Sequence, residues 1–180
     1  MHCNLLNLPP ATPLPGEEVP VPYVFVADDA FPLSPGIMKP YGTRQLTPSE
    51  RIFNYRLSRA RRTVENAFGI MANRFRVLLS PIALEPVKVE KVVLACCALH
   101  NFLRSKSASR ALYTPPGYCD CEDERSRAVL PGEWRRGDTM QSISQQGSNN
   151  YTAITRKIRD HYQSYFVSDN GRVPWQDRLA

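Results

Sequence analysis

With 180 residues, 42% of them hydrophobic, the chain has material for one well-packed domain and not for two. A net charge of +6 and a pI near 9.2 favour polyanionic partners, because clustered Lys and Arg release counterions from phosphates; an ordinary basic soluble protein has the same balance. No apolar run approaches the roughly 20 residues that span a bilayer. Residues 1–7 lack the charged and apolar regions of a signal peptide, so an intracellular protein is expected.

The five cysteines, Cys3, Cys96, Cys97, Cys119 and Cys121, are odd in number and two are adjacent. That is poor material for a disulfide framework and fits a reducing compartment. Cys119-Asp120-Cys121 has no second Cys or His pair at the spacing of a structural zinc site.

In chain order, residues 8–22 (LPPATPLPGEEVPVP) are too rich in proline for a continuous helix or a central strand. Tyr23-Val24-Phe25-Val26-Ala27 is a continuous apolar run, which predicts a strand over 23–27 buried on both faces, as in a parallel sheet. It ends in Asp28-Asp29. Thr47-Pro48-Ser49-Glu50 is a capping box with Pro at the first helical position, where its missing N–H costs nothing. Phe53, Leu57, Ala60, Val64, Ala67, Phe68 and Met71 then recur at helical spacing and predict an amphipathic helix over 48–73.

A second helix is expected over 87–104. It is apolar nearly all round after Lys91 and therefore expected to be largely buried. Residues 105–150 read as a polar, irregular linker, with a mobile Ser/Gln/Asn-rich stretch over 141–150. A last helix over 150–166 precedes a turn at Gly171 and Val173-Pro174-Trp175-Gln176. The organisation read from these elements is a proline-rich lead-in (1–22), a main segment (23–104), the linker (105–150) and a C-terminal helix and tail (151–180). There is no internal repeat.

The candidates for chemistry are acidic. Asp28 directly follows the predicted strand, and ligands of open α/β sheets gather at the carboxyl ends of strands; Asp is equally a common turn residue. Glu65 lies at the flank of the long helix's apolar stripe, a position from which a carboxylate can face a site or pair with Arg61 or Arg62 in solvent. Arg51, Arg56, Arg59, Arg61, Arg62, Arg74 and Arg76 form a basic series that suits phosphate contacts or a solvated face. His100, inside ALHNFL, reads as a core histidine with a hydrogen-bonded ring. Trp175 reads as a packing anchor for the tail. There is no glycine-rich phosphate loop, Ser-His-Asp arrangement or dinucleotide fingerprint.

Several blocks in one order, VADDAFPL, MKPY, RIFNYRLSRARRTVENAFGIMANRFRVL, CCALHNFL and YFVSDNGRVPWQ, resemble the Harbinger transposase-derived nucleases of the DDE superfamily and their plant relatives. The resemblance runs over nearly the whole chain. It implies an α/β, RNase H-like nuclease fold, here N-terminally truncated and mostly helical with one or two strands. It also implies a carboxylate triad in which Asp28, in Ala27-Asp28-Asp29-Ala30-Phe31, matches the second Asp and Glu65, in VENAFG, matches the Glu. Asp29 falls at the variable position and is not carried over.

Asp28 and Glu65 would be ligands to Mg²⁺ or Mn²⁺ in a two-metal site, since such hard cations take oxygen donors. Arg59, Arg61 and Arg62 would contact DNA. A nuclear location and a separate Myb-like DNA-binding partner follow from the same resemblance. Only 27 residues precede Asp28 and none is Asp, so the family's first Asp is missing and the chain is expected to be the C-terminal part of the complete fold. Two functions follow: metal-dependent DNA cleavage by the complete protein, or a catalytically inactive, domesticated nuclear interaction protein. Without the opening strands, the strand at 23–27 and the helix at 87–104 are expected to be poorly covered and prone to aggregation.

Overall fold

The computed structural model describes residues 8–42, 44–140 and 151–178. They form two compact units, one from residues 8–61 with 151–178, the other from residues 62–140. Helix and short strands are mixed in an α/β arrangement, with three separate two-stranded pairs in place of a continuous sheet.

In the first unit the proline-rich segment forms a minimal hairpin, β1 (Thr12–Pro13) antiparallel to β2 (Pro20–Val21). It starts its return at Leu14-Pro15-Gly16-Glu17, where Glu17 N–H donates to Leu14 C=O at 2.9 Å and Gly16 has φ +79°. Pro pre-sets the first central position of such a turn, and only Gly adopts positive φ at the second without steric cost. β3 (Phe25–Val26) pairs parallel with β4 (Ile37–Met38), and Ala27 N–H extends the pairing to Met38 C=O at 2.8 Å.

Helix α1 (Pro48–Arg74) opens on the capping box read from the sequence. Thr47 N–H donates to Glu50 Oε2 at 2.8 Å and Glu50 N–H to Thr47 Oγ1 at 3.3 Å, so two donors are satisfied reciprocally. Thr47 N–H and the Thr47 hydroxyl both donate to Glu50 Oε2 and hold its carboxyl below the usual pKa. The core of this unit is Leu33, Met38, Phe53 and Leu57, with the rings of Tyr41 and Phe166 packed around Phe53. Burying Phe53 contributes about 1.5–3 kcal/mol by transfer alone. Asn54, next to it, brackets the β4–α1 connection: its amide accepts from Tyr41 N–H at 2.8 Å and donates to Tyr41 C=O at 3.0 Å. Helix α4 (Ala153–Val167) is capped by Thr152, whose side chain accepts from Thr155 N–H.

In the second unit the C-terminal part of α1 is joined by α2 (Pro86–Ser105), α3 (Ser107–Tyr113) and a hairpin of β5 (Cys121–Glu122) and β6 (Val129–Leu130). Asp123 shapes the hairpin loop, its Oδ1 accepting from the N–H groups of Arg125 and Ser126. The core here is Ile70, Tyr113 and Trp134, with Leu103, Tyr118 and Cys119 against it.

Three expectations need correction. The strand at 23–27 is only two residues long and is not buried on both faces, because β4 is its sole sheet neighbour among the described residues and Phe25 is exposed. α2 is not largely buried: Val87, Leu94, Leu99 and Phe102 are exposed while Cys96 and His100 are buried, which matches the expectation of a poorly covered helix. Residues 105–140 are not a linker, since α3, the β5–β6 hairpin and a 3₁₀ turn at Glu133–Arg136 pack Tyr113, Asp120 and Trp134 into the interior. The stretch 141–150 lies outside the described residues. No helix among the described residues is long and apolar enough to cross a membrane.

Candidate active site

Asp28 stands just past β3, where the pairing with β4 ends. Its two carboxylate oxygens have different work. Oδ1 accepts from Ala30 N–H at 3.0 Å, closing a turn, while Oδ2 lies 3.9 Å from Arg61 Nη2. Its side chain is 45% exposed, so the turn role and a ligand role are compatible in one residue. Asp29 lies in the turn that follows and pairs at 3.0 Å with the buried Lys39 of the MKPY block.

Glu65 belongs to the second unit. Its Oε2 meets Arg135 Nη2 at 3.5 Å and its side chain is 37% exposed. Arg135 in turn grips Asp120, whose side chain is wholly buried: Nη2 lies 2.6 Å from Oδ2 and Nε 2.9 Å from Oδ1. Gly132 N–H adds a third hydrogen bond to Asp120 Oδ1 at 2.7 Å. Burial raises the Asp120 pKa, but these hydrogen bonds and the charges of Arg135 and Arg62 outweigh it and hold the carboxyl below its ordinary value.

The neighbour of Glu65 in VENAFG, Asn66, locks the same segment down. It donates to Asp120 C=O at 3.0 Å and accepts from Asp120 N–H and from Trp134 Nε1, both at 2.8 Å. One turn further on, Gly69 lets the Trp134 indole lie against the helix backbone. Asn73 then donates to Trp134 C=O at 2.9 Å. Sequence reasoning passed over Asn66, Asp120, Trp134 and Arg135. The available signal was Gly69, a glycine inside a strongly periodic helix, which usually marks a close approach.

The basic series is mostly structural. Arg56 donates to Gly171 C=O and Gln176 Oε1 and lies over the Phe166 ring. Arg59 lies over Trp175 at 5.2 Å, and the tail tryptophan packs as read from the sequence. Arg62 pairs with Glu122 at 3.1 Å, both side chains largely buried. Arg74 donates to Tyr113 C=O at 2.8 Å, and Arg76 pairs with Asp138. Arg51 and Arg76, by contrast, are exposed to solvent. His100 is the expected core histidine, with Nδ1 2.9 Å from Tyr113 Oη. Burial, with a smaller effect from Arg104, lowers its pKa.

Among the described residues no three His, Cys, Asp or Glu side chains come together to hold a metal ion. The donor set present therefore falls short of a complete divalent-metal centre, for which hard cations need several oxygen ligands.

A family model described as DDE superfamily endonuclease matches residues 3–101, a span that takes in Asp28, Glu65 and the whole of α1. The chain belongs to the DDE superfamily endonuclease family. Protein ALP1-like of Arabidopsis thaliana is 27% identical over 79 residues, 43% of this chain. That match spans only 20% of the relative's own length. No solved structure matches the chain. Membership makes this a domain of transposase-derived nuclease ancestry.

Proposed function

We propose that the chain is part of a Harbinger-type, transposase-derived nuclease with an RNase H-like catalytic fold, and that the complete protein hydrolyses phosphodiester bonds of DNA in the nucleus with Mg²⁺ or Mn²⁺. The observation that carries this reading is the family match over residues 3–101, which contains both candidate carboxylates. Asp28 and Glu65 are the retained ligands, and each faces a guanidinium, Arg61 and Arg135 respectively. Two acids do not complete a donor set for such cations, so this reading requires at least one further acid.

A plasmid-nicking assay tests the reading on the longest open reading frame that contains this chain, with Mg²⁺ or Mn²⁺. Nicking is expected from the wild type, with a loss of at least about a hundredfold in Glu65→Gln and in Asp28→Asn. Equal nicking by wild type and Glu65→Gln sinks the proposal.

The ion pair between Glu65 and Arg135, at the edge of a buried polar network, favours a second reading. In it, the fold is retained as an inactive, domesticated interaction protein of chromatin, with partners that include a Myb-like DNA-binding protein. Affinity capture from nuclear extract with the chain as bait tests this, and recovery of no specific partner counts against it.

A further inference from the structure

The first unit contains an open pocket of about 520 Å³, within the size range of ligand sites. Tyr41, Tyr151, Arg44, Arg159, Asp29 and Glu50 line it. Arg159, on α4, is the unusual member, being a cation only 6% exposed. Its guanidinium lies 3.9 Å from the centroid of the Tyr41 ring and 5.3 Å from that of Tyr151. Aromatic faces attract a cation but carry no formal charge to neutralise it.

Among the described residues no carboxylate forms an ion pair with Arg159, and its buried Nε has no hydrogen-bond acceptor. The acids nearby have other commitments. Asp29 pairs with Lys39, Glu50 closes the capping box with Thr47, and Asp160 accepts from Tyr41 Oη at 2.8 Å. Of these, Glu50 lies near enough to sense the charge of Arg159 but forms no ion pair with it, so the buried guanidinium is only partly compensated and an anion entering from the pocket completes that compensation. Arg44, exposed and also lining the pocket, supplies a second cation.

The chemistry of the ligand follows from the lining. Guanidinium groups match the oxygens of a phosphate in pairs, and tyrosine rings accept the faces of nucleobases. We propose that this pocket is a phosphate-binding site that takes one phosphodiester of a nucleic-acid strand between Arg159 and Arg44, with the adjoining base against Tyr151. Asp29 borders the pocket, and Asp28 precedes it in the chain. The assignment of a strand, as opposed to free phosphate, rests on the reading of the protein as acting on DNA.

The test is fluorescence anisotropy of a short single-stranded DNA with the full chain, in the absence of divalent metal, for wild type, Arg44→Glu, Arg159→Lys and Arg76→Glu. Arg76 is an exposed arginine of the second unit and controls for net charge. Arg44→Glu is expected to weaken binding about tenfold and to lower the salt slope by about one, with Arg76→Glu changing affinity less than about threefold. Arg159→Lys keeps the charge but loses the paired geometry, and is expected to weaken binding with an unchanged circular dichroism spectrum.

In a parallel arm, inorganic phosphate is titrated while thermal unfolding is followed. A phosphate-induced rise in Tm that Arg44→Glu abolishes, with oligonucleotide binding indifferent to Arg44, supports the site but overturns its assignment to nucleic acid. Equal effects of Arg44→Glu and Arg76→Glu on DNA, with no phosphate-induced shift, overturn the site itself. Arg44-dependent DNA binding by a complete protein that nicks no DNA keeps the pocket and sinks the nuclease reading.

Discussion

The indole of Trp134 lies against the backbone of α1 at Gly69, so close that a β-carbon at position 69 would overlap the ring. In an unencumbered helix, Gly→Ala stabilises by roughly 0.5–1 kcal/mol. Here the ring belongs to the buried cluster of Ile70 and Tyr113 and is tied to Asn66, so it has little freedom to withdraw. Overpacking of this kind costs about 1–3 kcal/mol and outweighs the propensity gain. Gly69→Ala is therefore expected to lower stability in urea denaturation, and a higher midpoint would show that the indole moves aside freely.

Asp120 ties residues 117–135 to α1 through Arg135, Gly132 N–H and Asn66. Asp120→Ala leaves a guanidinium and a backbone N–H without their acceptor, at a cost of about 1–3 kcal/mol. The sign of its pH dependence follows from the lowered folded pKa. The contribution is complete above the unfolded value of about 3.9 and is lost as pH falls through the folded value. Stability–pH curves of wild type and Asp120→Asn are expected to converge on the acid side of pH 4. A constant gap down to pH 2 would remove Asp120 as the cause.

His100 makes the corresponding prediction nearer neutrality. Burial favours its neutral ring, so its folded pKa lies below the unfolded value of about 6.5. The unfolded chain then binds the proton more readily, and stability falls as pH drops from about 6.5 through the folded value. His100→Gln should flatten this limb. Tyr113→Phe should cost about 0.5–1.5 kcal/mol through the hydrogen bond to Nδ1. A wild-type profile level between pH 7 and 5 would contradict the assignment.

Along α2, Leu94, Leu99 and Phe102 present apolar side chains to solvent. Substitution by Gln at these positions removes few contacts and should change stability by no more than about 0.5 kcal/mol. The triple variant should, by contrast, reduce the concentration-dependent association that such a face promotes. Sedimentation velocity at increasing protein concentration distinguishes the cases, and identical association by wild type and variant would show that the face is inert.

Local chemistry was legible wherever one or two residues decide a conformation. Thr47 and Glu50 announced the start of α1, Pro15 and Gly16 fit the turn that opens the first hairpin, and the apolar spacing from Phe53 to Met71 gave the helix its length. His100 was legible too, because a histidine inside an apolar run needs a hydrogen-bonded partner. The run from Tyr23 to Ala27 misled. A continuous apolar stretch reports a capacity for burial, and burial requires neighbours that a one-dimensional pattern does not contain.

The amino-acid sequence by itself determined the family and the boundaries of the three long helices to within about three residues, because capping and periodicity act over a few residues. Only the tertiary structure decided what those residues touch. Residues 105–140 carry no periodicity, yet they fold because one tryptophan finds a glycine-sized gap and one aspartate finds an arginine and a backbone N–H. Arg56, Arg59, Arg62 and Arg74 of α1 became struts because carbonyl groups, rings and carboxylates distant in sequence meet them in space. Those meetings are set by packing in three dimensions, which the order of residues implies but does not display.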